Sequence, residues 1–218
     1  MAKKKSIKEL DIISYYMDYV LVNNSKPTSV YSFAKANNFE ETKFYKYFGS
    51  FEAIEKQIFK TFFDNTLKVL NKSEEYQSFD ARDKLLSFYF TFFEILTANK
   101  SFVEYILLKH KNSIKGLQTL SKLKKCFTNY IDNLDIETLD IKEDRINKIQ
   151  QSALQESAWL QMLLTMKFWI EDTSASFEKT DIFIEKSVNT SFDVINIVPL
   201  KSVIDFGKFL FKEKIHLN

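Results

Sequence analysis

The chain has 218 residues with only three Gly and two Pro, too little turn-forming sequence for the many hairpins of a sandwich or barrel. Its net charge of +2 does not by itself identify a nucleic-acid-binding protein, although residues 1 to 50 carry eight lysines against five acidic residues. No apolar run approaches the roughly 20 residues that span a bilayer, and no secretion signal follows the lysine-rich start, so we expect a soluble cytoplasmic protein.

The N-terminal 50 residues contain three helical patterns. Apolar residues at helical spacing predict a first helix over residues 7 to 22, which stops before Pro27. Thr28 and Ser29 are N-cap candidates for a short second helix that ends at Asn37-Asn38. A third short helix over residues 40 to 47 directs Phe44 inward. Two short helices joined by a tight turn predict a helix-turn-helix.

Helical patterns also continue through the rest of the chain. Gly49-Ser50 ends the third helix and caps a long fourth helix, which is predicted to run to about Asn71. After a polar stretch over residues 71 to 78, helical patterns occupy residues 80 to 98, 100 to 111, 113 to 134, 143 to 171, 176 to 195 and 199 to 214. The segment Asp135 to Glu143 alternates like a strand but is too isolated to pair, so a loop is predicted. We expect a small domain over residues 1–50 and a larger one over 51–218.

The ungapped stretch from Thr28 to Ile54 resembles the helix-turn-helix of the TetR family of transcriptional regulators. The resemblance rests on these segments: Thr28-Ser29-Val30, Ala34-Lys35-Ala36, Tyr45, Phe48, Gly49-Ser50 and Glu52-Ala53-Ile54. It implies an all-α, TetR-like fold, with an N-terminal three-helix DNA-binding domain and a larger C-terminal helical bundle. It further implies a homodimer that binds a double-stranded DNA operator, as a ligand-responsive repressor.

The third helix supplies the candidate DNA contacts, because a helix of two turns fits the major groove. Its candidate side chains are Thr42, Lys43, Tyr45, Lys46 and Tyr47. The resemblance implies further phosphate contacts from Thr28 and Ser29. Glu40-Glu41 departs from the family pattern and repels phosphates, so the alternative is a helix-turn-helix kept for structure after DNA binding was lost.

Residues 168 to 186 are similar to a second group, the TetR-fold lipid-binding proteins of ubiquinone biosynthesis. The similarity is an Asp-x-Ser pattern at Asp172 and Ser174, followed by an acidic residue, a threonine and aromatic residues. A structural corner between two late helices explains the same residues through N-caps and packing. The alternative function is therefore a lipid- or isoprenoid-binding protein without DNA binding.

The helix over residues 143 to 171 has apolar residues on more than one face. In the resembled family the late helices of two subunits form a four-helix dimer interface, which fits this wide apolar coverage. A small apolar or amphipathic ligand is expected in the C-terminal domain, although core packing explains the same side chains. The candidate pocket residues are Phe92, Tyr105, Gln155, Trp159, Met162 and Met166.

The remaining features support neither an enzyme nor a membrane protein. Cys126 is the single cysteine, and His110 and His216 lie too far apart for metal-ligand spacing, so no metal site is predicted. No nucleophile-base pairing or glycine-rich phosphate loop occurs, and we expect no catalytic residue and no cofactor. The last helical pattern is amphipathic and basic; it is more typical of a helix docked on its own protein than of membrane-surface binding.

Overall fold

The computed structural model describes residues 7–109, 114–136 and 144–197. These ranges contain eleven α-helices and no strand, which confirms the all-α prediction. In chain order the helices are α1 (Glu9–Asn23), α2 (Val30–Ala36), α3 (Glu41–Tyr47), α4 (Phe51–Leu70), α5 (Glu74–Ser78), α6 (Ala81–Ala98), α7 (Lys100–Lys109), α8 (Ile114–Thr119), α9 (Ser121–Asp132), α10 (Asp144–Glu171) and α11 (Glu178–Ile197). None of the described helices is long and apolar enough to cross a membrane.

Two segments differ from the sequence-based expectation. The polar stretch before residue 80 contains the short helix α5, because the Ser73 side chain accepts a hydrogen bond from the Tyr76 N–H and the Tyr76 ring is buried. The single helix predicted over residues 113 to 134 is divided into α8 and α9. There the Leu120 N–H bonds to the Leu117 carbonyl, a tighter turn than the α-helical one.

Two expectations fall largely on residues outside those described. The helical pattern over 199 to 214 lies wholly outside them. Of the loop predicted over 135 to 143, only Asp135 and Ile136 are described, and both are non-helical, with Asp135 at a left-handed φ of 49°. An isolated polar residue tolerates this conformation better than a branched apolar one would.

The described chain divides into two compact units. Unit 1 comprises residues 7–72, 91–109 and 114–127, and unit 2 comprises residues 73–90, 128–136 and 144–197. The helix-turn-helix belongs to unit 1 together with α4, α7 and α8. The domain boundary expected at residue 50 remains a prediction, because it separates two proposed functions and the two compact units are defined by packing alone.

An aromatic cluster forms the core beneath the helix-turn-helix in unit 1. Phe33, on α2, is fully buried at its centre, with five rings whose centroids lie 5.6 to 6.2 Å from its own. The five are Tyr16, Tyr19, Phe39, Phe44 and Phe51. All five contacts are edge-to-face, an arrangement that the aromatic quadrupole favours. Short helices that bury little surface alone are thereby held in one arrangement.

We expect Phe33→Ala to lower the free energy of unfolding by about 3 to 5 kcal/mol, because it leaves a cavity where five rings meet. Urea denaturation followed by circular dichroism measures the change. Tyr31→Ala is the matched control, since Tyr31 lies on the same helix and is 60% exposed. Its effect should stay within about 0.5 kcal/mol. Equal losses from the two substitutions would contradict the central place of Phe33.

Unit 2 is built around the inner face of α10. Trp159, Met162, Met166 and Trp169 are buried there, and α11 packs along the same helix with Ile184 and Val188 buried. At the edge of the unit, the Arg82 guanidinium donates to Asp193 at 2.9 Å and lies over the Phe192 ring. These two contacts join the start of α6 to the C-terminal part of α11.

Candidate DNA-binding face and candidate dimer groove

The turn between α2 and α3 has the geometry of a helix-turn-helix without a glycine. Asn38 adopts a left-handed φ of 55°, which asparagine tolerates better than most residues. The Asn38 N–H bonds to the Lys35 carbonyl, and the Phe39 N–H bonds to the Ala34 carbonyl at 3.0 Å. This pair of bonds is the Schellman arrangement, and the Phe39 ring packs on Phe33 to complete it. Local chemistry thus fixes the angle at which α3 leaves α2.

The predicted contact residues of α3 share one exposed side. Thr42, Lys43, Tyr45 and Lys46 are exposed, whereas Phe44 is fully buried behind them. Tyr47 is half-buried, and the Lys46 ammonium lies 5.6 Å from the centre of its ring. Thr28 and Ser29 are exposed at the start of α2, where Ser29 caps the helix by accepting from the Ser32 N–H. The structure thus brings the candidate DNA contacts together in unit 1.

Two further residues of the same kind were missed by sequence reasoning. Tyr31 and Lys35 are exposed on α2, and the Lys35 ammonium lies 5.9 Å from the centre of the Tyr31 ring. Their spacing of four residues, on the side of α2 opposite Phe33, was the signal that could have identified them. They add a lysine and a tyrosine on α2 to those that α3 exposes. Glu40 is exposed and Glu41 half-exposed, so carboxylates stand at the start of α3.

A second candidate site is an open apolar groove of about 640 Å³ in unit 2, between α10 and α11. Its lining is Ser157, Leu160, Gln161, Leu164, Phe168, Lys179, Ile182, Phe183, Lys186, Ser187, Thr190 and Ser191. Leu160, Leu164 and Ile182 are each at least 50% exposed. The Phe168 and Phe183 rings stack at 4.6 Å between centroids. A helix pair with a buried inner face thus also presents a largely apolar outer face.

The predicted pocket residues lie elsewhere. Phe92 is fully buried and Tyr105 half-buried in unit 1. In unit 2, Trp159, Met162 and Met166 belong to the core, and none of the six predicted residues lines the groove. Gln155 donates a hydrogen bond to Asp132 at 2.6 Å in an exposed position. A ligand site at these residues remains a prediction.

The corner before α11 is organised by one carboxylate. Asp172 is buried and accepts four hydrogen bonds, from the backbone N–H and hydroxyl of both Ser174 and Thr180, at 2.7 to 3.0 Å. Burial alone would raise the pKa of Asp172, but these bonds outweigh it and hold the pKa well below the ordinary value of 3.8. Ser176 adopts a left-handed φ of 54° within the turn. These contacts favour the structural explanation of the Asp-x-Ser pattern.

We expect Asp172→Asn to lower the melting temperature by about 5 °C at pH 7, because the amide NH₂ would face hydrogen-bond donors. The depressed pKa means that the carboxylate stabilises the fold above pH 3.8 and loses this effect as the pH falls further. The difference between wild type and variant should therefore shrink below about pH 4. Thermal unfolding followed by circular dichroism from pH 3 to pH 7 measures it, with the exposed Asp18→Asn as control. A difference independent of pH would contradict the assignment.

Comparison with known proteins gives one family match. Residues 84–210 match the family described as "Tetracyclin repressor-like, C-terminal domain". The match includes α7 to α11 and most of α6, together with the groove between α10 and α11. No curated protein matches the chain closely enough to count as a relative.

Proposed function

This chain belongs to the TetR family, and we propose that it is a DNA-binding transcriptional regulator that acts as a homodimer and represses until a ligand binds. The observation that carries the proposal is that α2 and α3, which pack on the aromatic cluster around Phe33, both expose lysines and tyrosines: Tyr31, Lys35, Lys43, Tyr45 and Lys46. Lysine and tyrosine side chains reach phosphates and base edges when a helix enters the major groove. DNA binding by such side chains involves no covalent chemistry, which is typical of a regulator and not of an enzyme.

The groove supports the dimeric part of the proposal. An apolar outer face on two long helices buries its surface when a second copy brings the same two helices against it in a four-helix arrangement. Such a contact is self-complementary, so it supplies two recognition helices related by a two-fold axis. A palindromic operator with half-sites about one DNA turn apart matches that symmetry.

The ligand-responsive part follows from the family and from the apolar character of unit 2. A small apolar or amphipathic molecule that binds one arrangement of the C-terminal helices more tightly shifts the population toward it, and DNA affinity changes accordingly. Within unit 2 the residues proposed to contact it remain Trp159, Met162 and Met166, with Gln155 to orient a polar group. Equal DNA affinity with and without a bound ligand would remove this part of the proposal.

Fluorescence anisotropy with labelled duplex DNA tests the proposal directly. Duplexes are first selected by the purified protein from a random-sequence pool, and binding is then compared with scrambled duplexes of the same composition at low and moderate salt. Selective binding that weakens with salt is expected, because lysines displace counterions from phosphates. Absence of selective binding at low salt would overturn it.

The second candidate is a lipid- or isoprenoid-binding protein, which two observations favour. Carboxylates stand at Glu40 and Glu41 beside the proposed DNA contacts. In addition, the groove places Lys179 and Lys186 beside an apolar lining, a combination that suits an anionic amphiphile. Mass spectrometry of organic extracts from the purified protein distinguishes the two: a stoichiometric lipid without DNA binding would favour this candidate.

A further inference from the structure

A buried carboxylate on α4 holds together two separate parts of unit 1. Glu55 is 1% exposed, and its Oε1 accepts a hydrogen bond from the Tyr16 hydroxyl of α1 at 2.6 Å. The Lys26 ammonium lies 2.9 Å from Oε1 and 3.0 Å from Oε2 of the same carboxylate. Thirty-nine residues separate Tyr16 from Glu55 along the chain, so this contact exists only in the folded unit.

Both partners offset the cost of burying the carboxylate. A buried carboxylate is costly unless a cation and hydrogen-bond donors compensate it, and Lys26 and Tyr16 supply both. Burial and the negative charge of Glu55 raise the pKa of the Tyr16 phenol far above its usual value. Tyr16 therefore stays protonated and donates. The Tyr16 ring also stacks on Phe51 at the start of α4, with centroids 5.5 Å apart.

Lys26 directly precedes the segment that carries two of the proposed DNA contacts. Pro27 is buried, and Thr28 and Ser29 emerge exposed immediately after it. The Thr28 hydroxyl lies 3.2 Å from the Ser32 hydroxyl, and Ser29 caps α2. An ion pair at Lys26 and a buried ring at Pro27 therefore hold the chain just before it turns into α2.

We propose that Glu55 is a positioning residue for DNA recognition, which holds Lys26 and thereby the segment from Lys26 to Ser29 in the place from which α2 and α3 meet the operator. The inference rests on the proposed function, since it concerns how the same DNA-binding face is aligned. Glu55 itself is too buried to touch DNA. The Lys26 ammonium is directed to Glu55, so its contribution to recognition is geometric.

Matched substitutions on α4 separate this role from a change of charge. Glu55→Gln removes the buried carboxylate beside Lys26, whereas Glu52→Gln removes an exposed carboxylate near the same lysine. Glu52 lies 3.7 Å from the Lys26 ammonium, but its side chain is 66% exposed. Each variant removes one negative charge from α4, so both should change non-specific DNA binding alike. Only Glu55→Gln removes the charge from the buried ion pair that holds the segment.

Anisotropy titrations with the selected and the scrambled duplex give the ratio of specific to non-specific affinity for each full-length variant. We expect Glu55→Gln to lower the ratio about tenfold by weakening selected-duplex binding, while scrambled-duplex binding does not fall. Glu52→Gln should leave the ratio within about twofold. Lys26→Arg should retain it, because the guanidinium keeps the ion pair. The double variant Lys26→Met/Glu55→Gln should lose no more than Glu55→Gln alone.

Three results would overturn the inference. One is an unchanged ratio in a Glu55→Gln protein whose circular dichroism spectrum and melting curve match the wild type. Another is an equal loss in Glu52→Gln, which would assign the effect to charge alone. If Glu55→Gln does not fold, Lys26→Met takes its place, since it removes the cation of the same ion pair from a half-buried position; an unchanged ratio there overturns the inference. Wild-type protein that selects no duplex would instead overturn the proposed function itself.

Discussion

Replacement of both Lys43 and Lys46 by alanine is expected to weaken binding to the selected duplex by about a hundredfold at moderate salt. Both side chains are exposed on α3, while Phe44 between them is buried and keeps the helix seated. Each lysine that contacts a phosphate releases close to one condensed counterion. The double variant should therefore flatten the slope of log affinity against log salt by about two. Each single substitution should produce part of both effects.

The measurement is an anisotropy titration at several salt concentrations. Lys167→Ala is the control, because Lys167 is exposed on α10 and lies in unit 2, outside the helix-turn-helix. It removes the same charge as either single substitution but should leave the affinity and the slope nearly unchanged. If Lys43→Ala and Lys46→Ala each bind DNA as tightly as the wild type does, neither lysine contacts the DNA. Thr42, Tyr45 and Tyr47 would then have to carry recognition.

The second large effect is expected in the groove. Leu160→Glu combined with Leu164→Glu should convert the proposed homodimer into a monomer and raise the dissociation constant of the two subunits at least a hundredfold. Each carboxylate would be buried without a partner, at a cost of several kcal/mol. In the monomer both side chains are about half exposed, so the substitutions should hardly alter the stability of the subunit. DNA affinity should fall as well, because a monomer binds one half-site only.

Sedimentation equilibrium and light scattering give the mass of each variant in solution. Leu117→Glu and Leu10→Glu are matched controls, since these leucines are 56% and 63% exposed but belong to unit 1 and do not line the groove. Both should remain dimeric. A groove variant that keeps the mass of a dimer would show that the two copies meet elsewhere. The groove would then be open to a ligand such as the anionic amphiphile of the second candidate function.

The helix-turn-helix could be predicted from the sequence because its determinants are local. Ser29 and Ser50 cap α2 and α4 as their positions indicated, with hydrogen bonds from N–H groups three residues ahead. The Asn37-Asn38 pair ends α2 through a left-handed asparagine. Short-range chemistry of this kind depends little on the rest of the chain. For the same reason the helical spacing of this segment correctly predicted that Phe44 lies on the inner side of α3 and that Lys43 and Tyr45 lie on its outer side.

The outer and inner faces of α10 could not be predicted in this way. Its apolar residues surround the helix, so periodicity does not tell Leu160 and Leu164 from Trp159 and Met162. Packing against α11 and the rest of unit 2 buries the second pair and leaves the first pair exposed. The groove, and with it the proposed dimer face, follows from that division. The predicted pocket list drew mainly on buried side chains for the same reason.

By itself, then, the sequence determined the helical class, the helix-turn-helix and the outward side of its third helix, since caps and periodic patterns act within a few residues. Only the tertiary structure decided which apolar side of α10 stays open. It also brought Tyr16 and Lys26 onto the buried Glu55, residues whose distance along the chain leaves no pattern to read. Contacts of that kind depend on how whole helices pack, because only packing buries Glu55. A buried carboxylate then needs a cation and a hydrogen-bond donor to offset its lost solvation.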